Sequence, residues 1–223
     1  MTIEKKLLGT SPSGGATDVA DVFSTDLYTG AGGTQTITNG IDLSGEGGLV
    51  WVKHRTASNA HMLVDTERGV KRSISSNTTT AQTPANANNV DAFYSTGFQV
   101  GPDGSTNQPN GKFVSWTFRK KKKFFDIVTW TGNDTAGRTI PHNLGSVPAM
   151  MLVKMTNGTY SWNVYHSGIG ATKFLELDTN NGGQTSSAVW NNTAPTDSVF
   201  TVGQEYGVNQ GSKTYVAYLF ADN

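Results

Sequence analysis

The stretch FVSWTFRKKKKFFDIVTWTG, residues 113–132, sets four consecutive lysines between two segments that both read as β-strands. A block of like charge serves either as a handle for phosphates or as a solvated joint between folded units. The rest of the chain decides between them, because the sequence matches itself at a nearly constant shift. Tyr28-Thr29-Gly30 falls on Trp130-Thr131-Gly132 at a shift of 102, and Val52-Lys53 on Val153-Lys154 at 101. Leu63, Val64 and Gly69 fall on Val164, Tyr165 and Gly170 at 101. Phe98-Gln99-Val100-Gly101 falls on Phe200-Thr201-Val202-Gly203, and 113–118 on 215–220, both at 102. FVSWTFR therefore ends a first copy of one β unit, and FFDIVTWTG opens a second. The pattern predicts tandem homologous domains at 23–119 and 124–223, with 120–123 as a basic linker kept exposed by repulsion and hydration.

Period 2 dominates elsewhere too. LVWVKHR (49–55), FQVG (98–101), MMLVKM (150–155), FLELD (174–178), VFTVG (199–203) and TYVAYLF (214–220) read as strands. Between them lie TGAGG, SGEGG, GPDGSTNQPNG and TNNGGQ, rich in residues that accept turn conformations. No window offers an amphipathic helix, so the expected class is all-β, sandwich or barrel.

Charge and composition remove several functions. Lys+Arg and Asp+Glu are both 17, so no overall field draws the chain to nucleic acid or to an anionic membrane. Cysteine is absent, which removes disulfides, thiolate metal sites and thiol nucleophiles. The start, MTIEKKLLGTSPSGG, lacks the apolar core of a secretion signal, and no run of apolar residues is long enough to span a bilayer. The expectation is a protein made in a cytoplasm without a cleaved signal.

Residues suited to catalysis are few. Glu176 and Asp178 share one face of a strand, as the paired carboxylates of some retaining glycosidases do, but the next position on that face is Asn180 and the first copy has Ser75-Ser76-Asn77. Asp65-Thr66-Glu67-Arg68 reads as a turn with a local ion pair. His54, His61, His142 and His166 lack metal-ligand spacing. No catalytic residue, metal site or cofactor is predicted. Trp51, Trp116 and Trp130 sit in alternating strands and read as core, whereas Trp190 in SSAVWNNTAP and Tyr160 in NGTYSW are candidates for exposed stacking on a glycan.

The segment RTIPHNLGSVPAMMLVKM (138–155) carries the pattern I-x-H-x-L-G-x-x-P. With TGNDTAGRTIPHNLG, VYHSGIGATK, WNNTAPTDSVFTVG and YVAYLFA, it resembles a repeated β domain of virion structural proteins from tailed bacteriophages, many of them marine and tail-fibre-like. FSTDLYTGAGGTQTITNGIDLSGEGGLVWVKHR resembles the preceding domain of such proteins. The resemblance implies lectin-like sandwiches, of jelly-roll or concanavalin-like form, in a structural part of the particle on the tail, fibre or capsid surface. It supplies no catalytic residues. The expected partners are other virion subunits, as a homo-oligomer (a trimer being one form) or a neighbouring tail or capsid protein, with a host-surface glycan as a further contact. The alternative is a glycan-binding host-recognition module without a structural role. His142 reads as a packed turn residue, and Pro148 as a strand entrance, where a missing N–H does no harm. Residues 1–22 lie outside the repeat and are expected to form an extended arm, with Ile3, Leu7 and Leu8 as the patch that anchors it to a neighbour.

Overall fold

The computed structural model describes residues 18–85 and 88–222. Its first half runs through α1 (Val19–Val22), β1 (Phe23–Thr29), β2 (Gln35–Thr38), β3 (Gly48–His54), β4 (Met62–Asp65) and β5 (Ile74–Ser75). It continues through β6 (Val90–Tyr94), β7 (Gly97–Val100), α2 (Gly104–Asn107) and β8 (Lys112–Arg119). The second half contains β9 (Phe125–Thr131), β10 (Arg138–Pro141), β11 (Pro148–Met155), β12 (Asn163–His166) and β13 (Lys173–Glu176). After these come β14 (Gln184–Thr185), α3 (Ser187–Trp190), β15 (Val199–Val202), α4 (Tyr206–Asn209) and β16 (Thr214–Ala221). The chain is all-β, as expected, and the paired strands are antiparallel. No helix among the described residues is long and apolar enough to cross a membrane.

Four sheets form. A five-stranded sheet has the order β1-β8-β3-β4-β5, and a six-stranded one the order β14-β13-β12-β11-β16-β9. Read from its β9 end, the larger sheet repeats the order of the smaller, strand for strand, and adds β14. A three-stranded sheet, β2-β7-β6, backs the first, and a two-stranded one, β10-β15, backs the second.

Strand alternation explains the layering. In β3, Val50 and Val52 point to a core shared with Ile37, Phe98 and Val100 of the small sheet, while Leu49 and Trp51 point the other way. In β11 and β16, Met151, Val153, Tyr215 and Leu219 face Ile140, Phe200 and Val202. Leu152, Val216 and Tyr218 face outward from that core, where they meet Leu49, Leu63 and Ile74 of the first half. The two large sheets thus pack against each other over part of their outer faces, and the layers run small, large, large, small. On this second face Leu49, Leu152 and Tyr218 are buried, a more apolar environment than a solvated antiparallel sheet provides, whereas Trp51 and Trp116 stay half-buried. The apolar side chains buried there add to the cohesion between the halves.

Matching positions do matching work with different chemistry. The Tyr28 hydroxyl donates to the Thr106 carbonyl at 2.6 Å, and at the shifted positions the Trp130 indole donates to the Val208 carbonyl at 3.0 Å. A Cβ on Gly30 would lie 2.2 Å from the Gln108 carbonyl oxygen, and one on Gly132 would lie 2.0 Å from that of Gln210, so both turns require glycine. Buried Asn107 ties the loop after β1 through the Ala31 N–H (2.7 Å) and the Gly33 carbonyl. Buried Asn209 ties the loop after β9 through the Thr135 and Gly203 carbonyls, at 2.8 and 3.0 Å.

The lysine run makes a tight turn. Lys121 pairs with Phe125, Lys123 adopts φ 62°, and Lys121 to Lys123 are exposed. Lys120 instead folds onto Glu67 at 2.5 Å and Asp126 at 3.6 Å. One boundary needs correction. The arm expected over 1–22 does not extend to 22: Asp18 caps α1, and Val22 is buried against the fold.

Candidate functional site

Lys154 is where the site begins. It lies in β11 with no exposed surface, at the position matched by Lys53 in β3. A buried ammonium needs acceptors. Lys53 Nζ donates to the carbonyls of His54, Ala57 and Asn59, closing the loop after its strand. Lys154 Nζ donates to the carbonyl of Tyr160 at 2.7 Å and, across the seam between the halves, to that of Thr79 at 3.0 Å. Burial pulls its pKa down to about 8, against the opposing field of Asp178. The Tyr160 N–H also donates to the Thr79 carbonyl at 3.0 Å. Tyr160 is therefore fixed by a lysine below it and by the first half beside it.

That loop forms one wall of a groove of about 300 Å³, lined also by Asn163, Phe174, Glu176, Gln184 and Glu205. The Tyr160 hydroxyl donates to Glu205 Oε1. Burial, then the carboxylates of Glu205 and Glu176, push the phenol upward, so it stays a donor at neutral pH. Glu176 is steadied by Thr179 Oγ1 at 3.2 Å and Asn181 Nδ2 at 3.0 Å. Tyr206 packs beside Tyr160 with ring centroids 5.3 Å apart, and it remains 38% exposed. Asn163 is 2% exposed, and its Nδ2 has no hydrogen-bond partner. A Cβ on Gly207 would come within 2.3 Å of that nitrogen and 2.6 Å of the Tyr160 ring, so the glycine leaves the floor open. The groove thus combines two carboxylate acceptors, amide donors and an aromatic pair, which is the chemistry that binds a polyhydroxylated ring.

Of the two aromatic residues expected to contact glycan, the fold brings only Tyr160 to this groove. Trp190 is corrected: it is 1% exposed and packs edge-on to Tyr165 at 6.0 Å within the core. Its segment forms α3, capped by Ser186 and ended by Asn191 in the left-handed region, and the indole turns inward. Trp130 is buried as expected. Trp51 and Trp116 are only half-buried, face each other at 6.0 Å, and line a separate pocket with Lys53, His61 and Phe118. Ile3, Leu7 and Leu8 lie outside the described residues.

The acidic residues have structural partners. Asp178 Oδ1 accepts the Trp162 N–H at 2.8 Å. Asp65 pairs with Arg68 at 2.6 Å, as expected for the turn, but the pair also reaches the other half. Tyr218 donates to Asp65 Oδ2 at 2.7 Å and accepts from Arg68 Nη2 at 3.0 Å. Asp65 and Tyr218 are fully buried and the Arg68 side chain is 4% exposed, so this is an ionic lock across the seam. Burial works against the guanidinium charge, and Asp65 and Tyr218 more than offset it, leaving its pKa raised. His142 is a packed turn residue, with Nδ1 accepting the Leu144 N–H at 3.3 Å.

Neither the acceptor pair Glu176–Glu205 nor the Asn163 amide was identified from sequence. The groove joins residues from three strands and two loops, and only Tyr160, in a turn with small polar neighbours, carried a local signal. No curated protein and no solved structure matches the chain. A family described as "Domain of unknown function (DUF7483)" matches residues 18–223, both halves together, and the chain belongs to that family.

Proposed function

We propose that this protein is a structural subunit of a tailed-bacteriophage particle, on the tail, fibre or capsid surface, that contacts host-surface glycan through the Tyr160 groove. The observation that carries the contact is the groove itself, with a buried amide donor lacking a partner beside two carboxylates, half-buried Tyr160 and exposed Tyr206. Its volume of about 300 Å³ suits one or two sugar rings. The particle is supported by the phage-like wording of 138–155 and its neighbours. The repeated strand order supports reading the two halves as tandem copies of one sandwich, and the ionic lock makes them a stiff unit suited to assembly.

The reading is non-enzymatic. Glu205 is engaged by Tyr160 and Glu176 by two side chains of its own turn, so both act as fixed acceptors. Calorimetric titration with saccharides released from host cells should show binding that Tyr160→Ala and Glu205→Gln each weaken at least tenfold, with no reducing ends released. Immunogold labelling of purified particles should place the protein on the virion. Binding without labelling would leave a recognition module with no structural role, and labelling without binding would remove the glycan contact.

A further inference from the structure

The pocket between Trp51, Lys53, His61, Trp116 and Phe118 has a volume of about 320 Å³ and an almost wholly apolar lining. At the repeat shift these five residues correspond to Leu152, Lys154, Trp162, Tyr218 and Phe220. The strand registers agree, since Trp51 lies opposite Trp116 and Leu152 opposite Tyr218. In the second half that surface is closed. The Trp162 indole donates to the Ser75 carbonyl at 2.9 Å, Lys154 to that of Thr79 at 3.0 Å, and Tyr218 meets Asp65 and Arg68. Segment 65–79 of the first half thus covers the second half's copy of the pocket.

A two-fold relation between the halves would cover both surfaces, but here only one is closed. The intramolecular contact is heterologous, and such a contact leaves one acceptor surface and one covering segment free at its ends. The free acceptor is the Trp51–Trp116 pocket, where the Trp51 Nε1 has no partner and Leu27, on the same face, is 62% exposed. The counterpart of 65–79 is segment 166–180, in which Leu175 and Leu177 pack against the seam cluster while His166 to Gly168 are exposed and uncommitted. In it Ile169 replaces Arg68 and His166 replaces Asp65, so the ionic lock on Tyr218 gives way to an apolar contact suited to Trp116.

We propose that the Trp51–Trp116 pocket docks a second copy of this chain through that copy's segment 166–180, repeating the internal seam and building a head-to-tail ring or filament. The proposal stands whether or not the particle is a phage's. Sedimentation of the full chain should show concentration-dependent species larger than a dimer. Trp116→Glu, which damages the acceptor, and Ile169→Glu, which damages the covering segment, should each give folded monomers. Leu27→Glu, at the exposed rim, serves in place of Trp116→Glu if that variant misfolds. A mixture of the acceptor and segment variants keeps one intact surface of each kind, so it should form dimers and nothing larger. A wild-type chain that stays monomeric at its highest soluble concentration would overturn the proposal. So would a dimer insensitive to Ile169→Glu, which would indicate pocket-to-pocket pairing, or a mixture that remains monomeric.

Discussion

Tyr218→Phe tests the seam with the smallest change. The substitution keeps the ring stacked 6.2 Å from Trp162 and removes only the hydroxyl. Two hydrogen bonds are lost, a 2.7 Å donation to Asp65 and a 3.0 Å acceptance from Arg68. Bonds to charged groups contribute about 1.5–3 kcal/mol each. Neither ion is orphaned, because Asp65 Oδ2 keeps Arg68 Nε and Arg68 Nη2 keeps the Leu63 carbonyl at 3.1 Å. The expected loss is therefore about 2–3 kcal/mol, nearer one bond than two. For a chain of this size that lowers the melting temperature by roughly 4–12 °C. Arg68→Met should cost more, about 3–5 kcal/mol, since it leaves the Asp65 carboxylate buried without its cation. Urea unfolding followed by both far-UV circular dichroism and tryptophan fluorescence gives these values. It also reports whether the halves still unfold together, since weakening the seam should separate the two transitions. A loss below about 0.5 kcal/mol for Tyr218→Phe, the range of an ordinary surface change, would refute the view that the lock joins the halves.

Asn209→Ala should destabilise by about 1–3 kcal/mol in urea, because the Thr135 and Gly203 carbonyls lose their donor, and Asn107→Ala should behave alike. Gly132→Ala forces a Cβ to 2.0 Å from the Gln210 carbonyl and should cost about 1–3 kcal/mol or prevent folding, read from soluble yield and melting. Lys154 gives a pH signature: its folded pKa, about 8, lies below its ordinary 10.5, so between these values the unfolded chain holds the extra proton. Its contribution to stability should therefore rise with pH from 8 to 10.5 and be flat below 8. Urea midpoints of wild type and Lys154→Met, compared across that range, should show the rise only in wild type.

One stretch of the first half ties the seam to the groove. Residues 65–82 hold Tyr218, Trp162 and Lys154, and Thr79 also fixes Tyr160, the aromatic wall of the groove. A change that loosens the seam should thus disturb the groove, and with it the proposed glycan contact, although no residue of the first half lines it.

What the sequence determined by itself was local and periodic. Alternation of apolar residues placed the strands, and Gly and Asn placed the turns. The shift of 101–102 paired Lys53 with Lys154 and Gly30 with Gly132, and in the structure these pairs close matching loops. Tertiary structure decided which faces those strands cover. LVWV and MMLVKM are apolar at both parities, a sign of burial on two faces, yet nothing in a strand's own period says whether the second cover is complete. Trp116 stays half-open and Tyr218 is sealed, though they hold equivalent places, because only the second half receives the 65–79 segment. Trp190 turned inward for a similar reason: four residues of helix at a loop end redirect one side chain, and the adjacent core settles the direction. The groove and the lock depend on groups brought together from up to 153 positions apart, and contacts at that range are fixed by how sheets pack, which period-2 patterning leaves open.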